Sequence, residues 1–305
     1  MTQILKDALE RIINSPEAKE LYKQADIMSA ALTKHGEPHA LGVMDFGLRL
    51  AQEIEAYFPG TFTQEEMDFS IPAACYSHDI GRSHANDIID GKPKDRHEIW
   101  GSRIFKRLMN SAAIPLVNQE PVCYAIVNHR ANGVLGRNAL DPKADAASNP
   151  RHDIKRRTLA ITVLADKCVG DAERVRTRDA LKIQILRTLG LSRWYFFNNA
   201  DEDEKNDFAN YSIKHAELVV DPNDNDDDRR YKGAIILRLD MDEKVCGMAE
   251  VFSVKWFREA YHCCGKSANV LGFVFRIEAN GQSWHFDKQS DSWQKRIAIP
   301  VPRRD

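Results

Sequence analysis

The sequence predicts a mainly α fold, a helical bundle over residues 1–190 followed by a small α+β module, and three observations carry that expectation. Apolar residues recur at helical spacing from residue 3 to about 190, the chain turns acidic between 191 and 231, and beyond 232 it alternates in the manner of strands. The expected division is therefore 1–190 helical, 191–231 an acidic connection and 232–305 the α+β module. A chain of 305 residues has the length for two units, because domains commonly run to about 100–200 residues.

Ile4, Leu5, Ala8, Leu9, Ile12 and Ile13 share one face of a first helix. Ser15 can cap, and Pro16 open, a second helix over 16–34 that ends near Gly36. Pro38 starts a third over about 38–57, with His39 in its first turn and Leu41, Met44, Leu48, Ala51 and Ile54 inward, until Phe58-Pro59-Gly60 stops it. Thr63 and Glu66 form a capping-box pattern for a helix reaching Asp79, which Pro72 must kink or divide and Gly81 closes. After a polar loop at 82–94, Asp95 and Glu98 bracket the start of a helix over about 96–110, placing His97 in its first turn. Pro121 is expected to begin a helix whose Val122, Ala125, Ile126 and His129 share a face. A Gly-, Asn- and Asp-rich loop at about 131–152 leads into an apolar helix from Ile154 to Val169 that carries Asp166 near its end.

Two acidic runs, Asp201 to Glu204 and Asp221 to Asp228, flank a weakly helical stretch and have the composition of solvated linkers. The second run fails as a calcium loop, because Asp226 stands where an EF-hand needs glycine and Lys232 where it needs glutamate. Ala234 to Leu239, Val270 to Ile277 and a stretch at about 282–287 have strand character, with a helix around 252–264.

Forty-three Lys and Arg against 45 Asp and Glu give a net charge of -2, so no overall basic field would gather nucleic acid. No apolar run reaches the roughly 18 residues of a membrane span, and charges interrupt the N-terminus, so a soluble, cytoplasmic protein is expected. The scattered cysteines Cys75, Cys123, Cys168, Cys246, Cys263 and Cys264 suggest no disulfide framework.

Six metal-type ligands run through the first 170 residues: His39, the doublet His78-Asp79, His97, His129 and Asp166. Imidazole and carboxylate donors suit divalent iron, manganese, zinc or nickel. A lone buried histidine is usually a core residue, but the ordered set is not so easily absorbed. His35 and His84 are weaker rivals, since the first precedes a helix and the second sits in a loop. His262-Cys263-Cys264 lacks a second ligand pair, and the C-terminal aromatics from Trp256 to Phe286 fit a core better than a base-stacking surface.

His39-Ala-Leu-Gly-Val, the run from Ala73 to Arg82 around the doublet, and Leu164-Ala-Asp-Lys167 resemble the helix motifs of the HD superfamily of metal-dependent phosphohydrolases, over roughly residues 30–180. The resemblance implies an HD-type bundle with two divalent ions drawn from Fe, Mn, Ni, Zn or Mg. Asp79 would bridge them, His39, His78 and Asp166 would hold one, and His97 and His129 the other. A metal-bridging hydroxide would then cleave a phosphoester or pyrophosphate bond of a nucleotide or related small molecule, with Asp79, Asp166 and Lys167 in catalytic roles. Arg82, Arg130 and Lys167 are candidate phosphate contacts, although exposed arginines would look the same. Arg174 and Arg178 could extend a basic wall, yet Asp171, Glu173 and Asp179 would pair with them as well.

The Gly-Tyr-Pro signature of cyclic di-GMP phosphodiesterases is missing after His129, where Asn132-Gly133-Val134 stands. The Glu-Asp motif of guanosine-tetraphosphate hydrolases is replaced by Gly81-Arg82-Ser83-His84. HD-fold mixed-valent di-iron oxygenases resemble the same ligand order and remain an alternative, as does an inactive nucleotide-binding regulator. The substrate and the oligomeric state, a homo-oligomer included, are left open.

Overall fold

A computed structural model of the protein describes residues 2–28, 35–84, 88–89, 92–93, 96–130, 150–169, 175, 177–224, 231–287 and 292–295. The Asp95 cap, the loop from 131 to 149 with Asn132-Gly133-Val134, Asp171, Glu173, Arg174, the side chain of Arg178, and the acidic residues 225–228 lie outside the described residues.

The fold is mainly helical, with a five-stranded sheet toward the C-terminus. The helical region comprises α1 (Thr2–Ile13), α2 (Pro16–Met28), α3 (Glu37–Tyr57), a π-helical turn (Glu66–Ser70), α4 (Ile71–Ser77), a 3-10 turn (Ile80–His84), α5 (His97–Ser111), α6 (Leu116–Asn128) and α7 (Pro150–Cys168). A short antiparallel pair, β1 (Ile88–Ile89) and β2 (Lys92–Pro93), lies inside the stretch read as a polar loop.

Ser15 caps α2 as expected, its Oγ accepting from Ala18 N–H at 3.2 Å. The α1 face is buried as expected except at Ile4, and the α3 face is rotated from the expected one. Ile4 is exposed while Leu5, Ala8, Leu9 and Ile12 are buried, and α3 buries His39, Val43, Gly47, Leu50 and Ile54 rather than Leu41. The α3 shift follows from His39, which must point inward with its i+4 neighbours.

The capping box forms: Glu66 Oε2 accepts from Thr63 N–H at 2.9 Å, and Thr63 Oγ1 accepts from Glu66 N–H at 3.2 Å. Pro72 divides the element that follows, as the π-helical turn gives way to α4 just before it. Glu66 is fully buried, and Arg157 of α7 grips its two oxygens at 2.8 Å each.

Pro121 does not begin a helix but lies inside α6, which starts at Leu116. A proline there cannot donate to the carbonyl four residues back, and that carbonyl, Val117 O, accepts instead from Arg151 Nη1 at 2.9 Å. Sequence spacing alone does not reveal that distant donor.

The stretch 191–231 is built as helices α9 (Ser192–Asn198) and α10 (Glu202–Ser212) and strand β3 (Ile213–Asp221), preceded by α8 (Thr177–Thr188). Asp201 accepts from Glu204 N–H and Glu204 from Asp201 N–H, so the first acidic run, exposed over Asp201–Asp203, caps α10. β3 pairs antiparallel with β4 (Ala234–Met241), which runs parallel to β5 (Val274–Ala279); β6 (Gln282–Asp287) and β7 (Ser292–Lys295) add antiparallel.

The parallel crossover from β4 to β5 carries α11 (Met248–Ser253) and α12 (Lys255–Leu271). Val270 and Leu271, expected in a strand, belong to α12. The helix continues until Gly272, at φ 85°, where Phe273 N–H bonds Ala268 O.

α7 lies between two apolar cores. Leu159 and Val163 pack with α1, α2, α4, α5 and α6, while Ala160, Ile161, Leu164 and Ala165 join α3 and the sheet. That position anchors Asp166 between both regions. The six cysteines are all free thiols.

Candidate metal centre

Local sequence brings six side chains to one buried pocket. His39 projects from the first turn of α3, His78 and Asp79 follow α4, His97 opens α5, His129 follows α6, and Asp166 sits in the last turn of α7. The doublet is seated by Gly81: a Cβ there would fall 2.0 Å from His97 O and 2.2 Å from Gly101 N, so only glycine lets the 3-10 turn touch α5.

The geometry centres on Asp79. Its Oδ2 lies 3.4 Å from His78 Nε2 and 4.0 Å from His39 Nε2, while its Oδ1 lies 3.2 Å from His97 Nε2 and 3.6 Å from His129 Nε2. Asp166 Oδ1 completes one side, 3.4 Å from His78 Nε2 and 3.6 Å from His39 Nε2. The candidate donors therefore form two groups that share the Asp79 carboxylate side: His39, His78 and Asp166, and Asp79, His97 and His129.

The imidazoles are oriented for a cation. His78 Nδ1 lies 2.8 Å from Cys75 O and His129 Nδ1 lies 2.7 Å from Ile126 O. Since a carbonyl can only accept, both Nδ1 atoms carry protons, so in the neutral ring each Nε2 presents a lone pair to the pocket. His78 Nε2 is buried without a hydrogen bond, and His97 Nε2 faces His129 Nε2 at 3.2 Å. Buried nitrogen and carboxylate donors converging in this way fit divalent metal ions.

Charges inside the pocket are strongly coupled. Burial alone would raise the Asp79 carboxyl, but Arg82, His78 and His35 outweigh it and hold it well below the usual carboxylate range. Asp166 is likewise held low, against its burial, by Lys167, His78 and His39. Burial would lower His78, yet the two carboxylates push it up to about 10, whereas burial and the neighbouring His97 and His78 bring His129 down to about 4 despite Asp79.

His35 enters the pocket although its place before a helix made it a weak candidate. Its Nδ1 lies 2.8 Å from Asp79 Oδ2, and with His39 and Asp79 it forms a third group of candidate ligands. Its spacing of four from His39 was the available signal. The other rival, His84, belongs to none of these groups; it stacks on Trp100 at 5.3 Å.

The cationic candidates are differently engaged. Arg82 donates from Nε to Asp79 Oδ1 at 2.9 Å, and Lys167 from Nζ to Asp166 Oδ2 at 2.6 Å. The Lys167 ammonium also stands 5.8 Å from the Trp256 ring centroid, so the sheet region's α12 reaches the edge of the pocket. Arg130 is half-exposed, with Nη1 3.7 Å from Glu98 Oε2.

Residues 37–169, the stretch that supplies all six candidates, match the family model described as HD domain. HD domains are generally metal-dependent phosphohydrolases. No curated protein and no solved structure matches the chain. Among the described residues no helix is long and apolar enough to cross a membrane.

Proposed function

We propose that the protein is a metal-dependent phosphohydrolase that cleaves a phosphoester or pyrophosphate bond in a nucleotide or related phosphorylated small molecule. The observation that carries this reading is the Asp79 carboxylate, which faces two separate sets of buried donors through its two oxygens. His39, His78, Asp79 and Asp166 would hold one divalent ion, and Asp79, His97 and His129 a second. The chemistry such ions supply is water activation near neutral pH and neutralisation of phosphoryl charge.

The chain's own residues have complementary tasks. The hydrogen bonds that Nδ1 donates to Cys75 O and Ile126 O hold the rings of His78 and His129 with Nε2 inward. Arg82 and His35 fix the rotamer of Asp79 from opposite oxygens. Arg82 uses Nε for that task, and its two Nη groups would be its donors to phosphoryl oxygens. Lys167 orients Asp166, and a phosphorylated substrate would compete for its ammonium. Asp166, kept ionised, would accept a hydrogen bond from the attacking water and so orient it.

Metal analysis after oxygen-free purification, joined to phosphate-release assays under argon with nucleotides, dinucleoside polyphosphates, cyclic nucleotides and sugar phosphates, tests the reading. Release of phosphate without oxygen is the expected outcome. Strict oxygen dependence with no turnover of any phosphoester would replace it with the di-iron oxygenase reading, and metal-free nucleotide binding without turnover with the regulator.

A further inference from the structure

Six of the large apolar side chains exposed among the described residues fall between positions 181 and 197: Leu181, Ile185, Leu189, Leu191, Trp194 and Phe197, each 44–64 % open. Leu181, Ile185 and Leu189 recur at intervals of four and line one side of α8, away from the buried Ile183. On α9, Leu191, Trp194 and Phe197 recur at intervals of three, opposite the buried Phe196. Gly190, at φ 71°, joins the helices, and Leu191 N–H bonds back to Leu186 O, which ties the hairpin together.

Among the described residues, three cations beside these side chains are neutralised within the chain. Lys182 pairs with Glu204, Arg187 with Asp242 and Arg193 with Glu250. These pairs leave little positive charge for nucleic acid or anionic lipid, so the matching surface is apolar and uncharged. Six such side chains about half open expose on the order of 600 Å², at the upper end of what a monomer commonly leaves to solvent. With a polar rim this approaches the roughly 800 Å² per partner of a stable interface.

We infer that the α8–α9 face is a homodimer interface, closed by the same face of a second copy about a two-fold axis. A second copy supplies a surface of the required chemistry at equal concentration, and an isologous contact closes without leaving apolar residues open. The contact does not depend on the activity of the metal centre.

Sedimentation velocity of the full chain from about 0.1 to about 100 µM, a range that spans ordinary dimer affinities, tests it. The native chain is expected to sediment as a dimer. Ile185→Glu with Trp194→Glu is expected to weaken association at least about 100-fold while circular dichroism holds, since charges would be buried in the contact. Leu189→Glu, just past the end of α8, serves if the double variant fails to fold. Ile4→Glu, an equally exposed site on α1, should leave the dimer intact. A native chain that is monomeric throughout, or a folded double variant that is still dimeric, overturns the proposal. So does a monomer that co-sediments with phosphatidylcholine vesicles through Trp194, which would give the face to a membrane.

Discussion

Around Asp79 the helical region buries His39, His78, His97, His129 and Asp166 with their polar side-chain atoms turned toward one another, whereas the sheet region buries Ile235, Leu237, Phe273 and Ile277 in apolar contact. Its buried charges Glu250 and Arg276 are tied to Arg193 and Asp224. A cluster of buried imidazoles and carboxylates works against stability unless a cation joins it, so the surrounding packing must hold it in place. α7 connects the two conditions, with apolar residues on both sides and Asp166 near its end. The contrast assigns chemistry to the helical region and much of the packing that supports it to the sheet.

The largest expected break in that contrast is Asp79→Ala. Metal content measured by mass spectrometry should fall toward zero, and turnover should drop by at least about 10³-fold, with helical circular dichroism retained. Leu237→Ala, in the sheet core, should do the reverse. It should cost about 2–5 kcal/mol in denaturant unfolding while metal per folded chain is unchanged.

His35→Ala sharpens the comparison at the border of the pocket. Metal affinity by competition with a chelator should weaken about 10–100-fold, as for loss of a group that orients a ligand, and loss below twofold would remove His35 from the centre. The smallest effect is expected at the half-exposed Lys182–Glu204 pair, worth at most about 1 kcal/mol. Burial would raise Glu204, but Lys182 and the Asp201 backbone outweigh it and lower its pKa. Its stabilisation is therefore complete above the ordinary carboxylate range and lost as pH falls through the lowered value. The gap in melting temperature between the native chain and Glu204→Gln should be full near neutral pH and close as the pH falls below the ordinary carboxylate range.

Much of the centre was legible because ligand chemistry restricts residue type: His39, the 78–79 doublet, His97, His129 and Asp166 form an ordered set of imidazole and carboxylate donors. His35 was less legible, since Gly36 separates it from α3 and nothing local shows its approach to Asp79. The Thr63–Glu66 box and the Ser15 cap involve neighbours and were readable. Pro121 was misleading because the donor that satisfies Val117 O is Arg151, 34 residues away. β3 was hidden between two acidic runs, and its pairing with β4 is a long-range contact that hydropathy does not reveal.

The sequence by itself determined the helical character of the first region, the ordered donors and the absence of a general nucleic-acid field, because periodicity, side-chain chemistry and net charge are properties of local composition. Only the tertiary structure decided that Asp79 faces both donor groups, that His35 joins them, that Lys167 turns to Asp166 and Trp256, and that six large apolar side chains on and beside α8 and α9 are exposed among the described residues. Those facts depend on which distant surfaces meet, and a pattern along the chain carries distances only between near neighbours.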